Sequence, residues 1–173
     1  LRQGGAGNGP RVQLLGSGAI LREVIAAADL LTQDWGVEAD IWSCPSFTQL
    51  ARDGNECARQ NLLHPAKPPR TCHVGECLKD TKGPVIASTD YVRAFAEQIR
   101  PFVPRRYTVL GTDGFGRSDT REKLRHFFEV DRHWVTLASL AALAEDGVIE
   151  RQKVADAIKK YGIDPEKPNP LSV

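Results

Sequence analysis

Four short strand-like runs, each breaking at glycine or small polar residues, constrain this chain more than any other feature. Val12–Leu15 breaks at Gly16-Ser17-Gly18, and Val37–Trp42 at Ser43-Cys44. Pro84–Ala87 breaks at Ser88-Thr89-Asp90, and Tyr107–Leu110 at Gly111-Thr112-Asp113. Helical periodicity follows each break. Parallel strands need crossovers long enough to hold a helix, so the alternation predicts an α/β fold with a mostly parallel sheet and helices on both faces. The four breaks then fall along one edge, at the carboxyl ends of the strands, where such sheets place ligands and partners.

The helices are read from apolar spacing and end signals. Leu21, Val24, Ile25, Ala28 and Leu31 predict an amphipathic helix from about Ile20 to Trp35, closed by Gly36. Phe47–Leu63 reads as two short pieces interrupted at Gly54, and His64–Arg70, with two of its prolines adjacent, as extended loop. Thr71 is the capping candidate for a helix over 72–80. A helix from Tyr91 to Arg100 carries an apolar stripe of Val92, Phe95, Ala96 and Ile99, capped by Thr89 or Asp90. After the three glycines of the fourth break, Asp119 is the expected N-cap of the next helix, with Glu122 placed for a capping box. Asp131 caps a helix over 132–145, and a last helix runs from about Glu150 to Tyr161. Residues 1–11 read as a glycine-rich linker or the edge of a preceding domain, 12–163 as the α/β domain and 164–173 as a tail.

The 173 residues suffice for one core without staples. A net charge of +1 with both signs interspersed argues against a dedicated nucleic-acid or membrane surface. No apolar run approaches a membrane span, which needs roughly 18 residues. Cys44, Cys57, Cys72 and Cys77 form no C-x-x-C pair, and the four histidines are scattered. No metal site is expected, and free thiols suggest a reducing, cytoplasmic compartment. The chain lacks methionine and opens on LRQGGAGNGP, which reads as the middle of a longer polypeptide.

Several local patterns suggest chemistry. Gly16-Ser17-Gly18 with Glu38 or Asp40 about twenty residues on resembles a dinucleotide fingerprint, but the third glycine is missing. None of Ser17, Ser46, Ser88 and Ser118 sits in G-x-S-x-G. Arg117 and Arg121 flank the fourth loop, where exposed arginines at a helix start oppose the dipole; pairing with carboxylates, Asp113 and Asp119 being nearest, is expected, with pairing to a partner as the alternative.

Longer strings are more specific. VQLLGSGAILREV, SFTQLARDGNECARQNLLHP, ASTDYVRAFAEQIRPFVP, VLGTDGFGRSDTREKLRHFFEVD and LAEDGVIE resemble the C-terminal part of the homodimeric bacterial pyruvate dehydrogenases, within the transketolase family. The resemblance runs from about Arg11 through ADAIKKYGIDPEKPNP. It implies a three-layer α/β/α sandwich of the transketolase C-terminal type on a mixed five-stranded sheet. The fifth, antiparallel strand would lie mostly before Leu1.

The same resemblance implies an enzyme that decarboxylates pyruvate and reductively acetylates a lipoyl group. Thiamin diphosphate and magnesium would be bound by other domains, and no catalytic or cofactor-binding residue is expected here. The implied partners are the remaining domains of the chain, a second subunit of the homodimer and the dihydrolipoyl acetyltransferase core. Ser88, Thr89, Asp90, Thr112, Asp113, Gly114, Phe115, Gly116, Arg117 and Asp119 are the candidate residues for the face that docks or looks toward the active site. The alternative is a free-standing nucleotide- or anion-binding domain on the same strand ends. The first reading expects an exposed apolar patch and the second a self-contained polar pocket.

Overall fold

The computed structural model describes residues 2–5 and 7–173, so Leu1 and Ala6 of the expected linker lie outside the described residues. β1 (Arg11–Gly16), β2 (Glu38–Ser43), β3 (Val85–Ser88) and β4 (Tyr107–Leu110) form one parallel sheet in the order β2-β1-β3-β4. Gln13 aligns with Asp40 on one side and with Val85 on the other, and Val85 aligns with Tyr107. β1 and β3 are covered on both faces, so β3 reads as an unbroken apolar run and in β1 even the polar Gln13 is buried. At the outer edge of β2, Arg2 makes one antiparallel bridge to Ile41.

Alternate residues of the strands feed two separate cores. On one face Val12, Leu14, Ile41 and Ile86 meet α1 (Leu21–Trp35), α6 (Arg132–Glu145) and α7 (Arg151–Lys160) through Val24, Leu31, Leu140, Leu143 and Ala157. On the other, Leu15, Val85, Ala87 and Val109 meet α2 (Phe47–Leu63), α3 (His73–Leu78) and α4 (Arg93–Glu97). The result is the expected three-layer sandwich, with four parallel strands among the described residues.

Several local expectations need correction. α2 is one continuous helix, with Ser46 Oγ accepting from Gln49 N at 3.1 Å at its start. Gly54 does not break it; any Cβ there would enter the Phe102 ring, so the glycine allows a close approach from the segment after α4. α3 is capped at Cys72 without a side-chain bond, not at Thr71. α4 is much shorter than the expected 91–100, and neither Thr89 nor Asp90 caps it. Its first turn is held from outside: Arg93 N donates to Asp113 Oδ1 at 2.9 Å. The cap of α5 (Arg121–Phe127) is Thr120, whose hydroxyl accepts from Lys123 N; Asp119 instead accepts from Thr120 N at 2.7 Å. Asp131 caps α6 as expected, accepting from His133 N and Trp134 N.

Toward the amino ends of the strands, buried polar groups close on one another. Gln13, fully buried, donates to Asp40 Oδ2 at 2.7 Å and to the Lys82 carbonyl at 3.0 Å, and accepts from Trp42 Nε1 at 2.8 Å. Asp40 also takes Arg11 at 2.7 Å and Gly4 N at 2.8 Å. Glu38 accepts from Gly5 N at 2.6 Å. The dinucleotide pattern fails here on geometry. Glu38 opens β2, at the opposite end of the sheet from the Gly16–Gly18 turn, and Asp40 is already engaged by three partners.

Candidate functional site

The carboxyl ends of β3 and β4 are stitched into one surface. Thr89 N donates to Leu110 O at 3.1 Å, and Ser17 N to Ser88 O at 3.3 Å, so three strand ends are joined. Thr112 N donates to Tyr91 O at 3.0 Å, and its hydroxyl to Asp90 O at 2.6 Å. Asp113 holds the start of α4 through Arg93 N and lies 3.5 Å from Arg93 Nε. Ser88 and Thr89 are buried beneath this surface. The Ser88 hydroxyl has no hydrogen-bond partner, and neither does Arg93 Nε.

Beyond Asp113 the chain turns outward. At Gly114 φ is +112°, and a Cβ there would overlap the Pro170 carbonyl, so the tail runs directly against the glycine loop. Phe115 is 73% exposed. The Arg117 guanidinium stacks 4.1 Å from the centre of the Phe127 ring, and Lys167 of the tail lies 5.0 Å from the same ring. Lys167 also pairs with Glu129 at 3.0 Å and sits over the Trp134 ring at 5.6 Å. Glu129 adopts a left-handed φ of +63°, unusual for a residue with a side chain. Tail, α5 and glycine loop thus hold each other in place.

Between this loop, α5 and the turn after β1 lies an open cleft of about 780 Å³. Asp90, Thr112 and Gly114 line it near the strand ends; Phe115, Gly116, Arg117 and Asp119 line it further out. Seven of the ten expected residues therefore share one cleft, while Ser88, Thr89 and Asp113 anchor its base. The expected pairing of Arg117 with Asp113 or Asp119 does not occur. Asp113 is used by Arg93, Asp119 approaches Lys123 at 4.0 Å, and Arg117 turns to Phe127. Arg121, also on the cleft, forms no ion pair among the described residues.

The cleft wall is fixed from behind by Glu23 of α1. This carboxylate is 6% exposed and receives Arg125 at 2.9 Å and Arg132 Nε at 2.9 Å. Burial works to raise its pKa, but the hydrogen bond and charge of Arg132, with Arg125 beside it, bring it below the ordinary value.

Sequence reasoning missed the apolar rim. Tyr91, Val92 and Phe95 were assigned to a helix with Val92 and Phe95 on its buried stripe. In the structure Tyr91 is 65% exposed, Val92 and Phe95 are exposed beside it, and Tyr91 meets Phe95 edge-on at 5.9 Å. With exposed Phe115 and Leu171 they make the carboxyl edge the more apolar part of the surface.

No three His, Cys, Asp or Glu side chains converge on a metal position among the described residues. The four cysteines are free; burial pushes the Cys44 thiol up to about 12, with Cys77 adding to the shift. No described helix is long and apolar enough to cross a membrane.

Comparison with known proteins agrees with this architecture. Residues 2–131 match the model of the transketolase-like C-terminal domain. Over 96% of its length the chain is 76% identical to the pyruvate dehydrogenase E1 component of Cupriavidus necator, and it spans 18% of that protein. It is 65% identical to the E1 component of Pseudomonas aeruginosa over 92% of its length, and 54% identical to that of Escherichia coli over 95%, again spanning 18% of each. A split-gene transketolase, described as an inactive β4 tetramer, superposes with a TM-score of 0.52 over 79% of this chain and 40% of its own, at 17% identity; that likeness concerns the fold. The reading as a free-standing nucleotide- or anion-binding domain draws no support from these likenesses. With 130 consecutive residues covered by the family model and the expected sandwich in place, the chain belongs to the transketolase-like C-terminal domain family.

Proposed function

We propose that these residues are one module of a pyruvate dehydrogenase E1 polypeptide, a cytoplasmic homodimer. The whole enzyme decarboxylates pyruvate and reductively acetylates a lipoyl group carried by the dihydrolipoyl acetyltransferase core. Its thiamin diphosphate and magnesium are held by residues outside this segment. The observation that carries the reading is the 76% identity over nearly the whole chain to an E1 component.

In this reading the module packs on the rest of the polypeptide, supports dimer assembly and frames the approach to the active site. Residues 12–163 are the packing unit and 164–173 a tail. The docking face is the carboxyl edge, with Ser88, Thr89 and Asp113 beneath it and the cleft residues Asp90, Thr112 and Gly114 to Arg117, with Asp119, upon it. Its exposed apolar rim is what removal from a larger assembly leaves behind, since large solvent-facing aromatic clusters are uncommon on a self-sufficient surface.

Titration calorimetry with thiamin diphosphate and magnesium tests the division of labour. Saturable heat is expected from the full-length enzyme and none from the 173-residue chain. Saturable binding by the chain alone would overturn the proposal.

A further inference from the structure

The cleft carries an imbalance that its docking role must resolve. Arg117 and Arg121 both line it, both are exposed, and neither forms an ion pair among the described residues. Arg125 and Arg132 share the carboxylate of Glu23 behind the same wall, with Asp131 and Glu122 also acting on Arg132. The cleft's own carboxylates do not compensate. Asp119 is held by Thr120 N and lies near Lys123, and Asp90 points to no cation.

In water this costs nothing. When a face of this kind is covered, a guanidinium that loses its hydration without gaining acceptors is strongly penalised. Arginine forks are best satisfied by carboxylates, in bidentate geometry. The rim adds a second requirement, because Phe115, which lines the same cleft as the arginines, is exposed.

We infer that the cleft receives an acidic segment of the same E1 polypeptide, from outside these 173 residues, that presents at least one carboxylate to Arg117 and Arg121 and an apolar side chain to Phe115. This rests on the docking role proposed above. Two observations support that source: the unpaired arginines of the cleft, and the 82% of the relatives' length that this chain does not span.

The test uses the full-length enzyme carrying Arg121→Lys, a substitution that keeps the charge at an exposed helix start and supplies an amine. A carbodiimide then forms a zero-length amide between that amine and any carboxylate in contact, with loss of water, and peptide mass spectrometry locates the link. The expected product joins position 121 to an Asp or Glu outside residues 1–173, and 0.5 M NaCl added before the reagent reduces its yield several-fold. A link only to Asp90 or Asp119, or to this same segment of a second copy, overturns the inference, as does no link. Solvent labelling of Tyr91 and Phe115 in the same preparation separates the two levels. Protection without an external link refutes the acidic segment and leaves the docking role standing; labelling in full refutes both.

Discussion

At the amino ends of the strands, Gln13, Asp40, Arg11 and Trp42 bond one another at 2.7–2.8 Å, although Arg105 Nε, just before β4, is buried there without a partner among the described residues. At the carboxyl ends, a few residues along the same strands, the Ser88 hydroxyl is buried without a partner, Arg121 lacks a carboxylate, and Tyr91 and Phe115 face solvent. One sheet therefore has a more finished end and a more open end. A buried polar group without a bond costs about 1–3 kcal/mol. In the proposed reading the open end is the one whose partners lie elsewhere.

The sharpest way to test the contrast is a pair of glycine substitutions. Gly83, before β3 at the finished end, has φ +80°, and a Cβ there would collide with the Arg11 carbonyl. Gly83→Ala is expected to cost roughly 3 kcal/mol or more. Gly116, at the open end, has free space where a Cβ would stand, and Gly116→Ala should stay within about 0.5 kcal/mol. Denaturant midpoints of the two variants check this; similar losses would break the comparison.

Gln13→Ala comes next. It strips a partner from Asp40, the Lys82 carbonyl and Trp42 at once, and roughly 2–3 kcal/mol should be lost in the same measurement.

Glu23→Gln is expected to cost about 1.5–2 kcal/mol near neutral pH, since two arginines lose their carboxylate and both retain some solvent. Because the folded-state pKa lies below the ordinary 4.5, the stabilisation is fully present above that value and is lost as pH falls through the lowered one. The gap between wild type and Glu23→Gln should therefore close on acidification below about pH 4.5, read by thermal unfolding across pH. A gap that stays constant would show that the charge of Glu23 is not what fixes the cleft wall.

The smallest effect belongs to Ser88→Ala. Removing a buried hydroxyl that bonds nothing should leave the melting temperature unchanged or slightly raised. A clear loss of stability would mean that Ser88 has a partner and that the open end is more finished than it looks.

The layered fold was legible in the sequence because its signals are local and repeated: four buried strands, each followed by a helix with its own apolar stripe. Gly36 and Asp131 marked helix ends correctly for the same reason. What escaped were features set by distant neighbours. α4 is capped by Asp113, twenty residues on, so no local pattern announces its start. Gly54 sits inside a helix because Phe102 must approach it. The candidate loop residues were found by their place after a strand, and most of them do share a cleft. Arg117 was expected on a carboxylate and stacks on Phe127 instead, held in a group with Lys167 that only the folded tail assembles. The exposed Val92 and Phe95 were misassigned because an apolar side chain left at the surface looks, in sequence, the same as one kept for the core.

The most direct test of the open end is hydroxyl-radical footprinting of the full-length enzyme, comparing Tyr91 and Phe115 with Leu62 at the end of α2, which is 79% exposed here. The account expects Leu62 to be labelled in keeping with its exposure and both aromatic residues to be protected several-fold. Tyr91 and Phe115 labelled as fully as their exposure in the chain alone would contradict it.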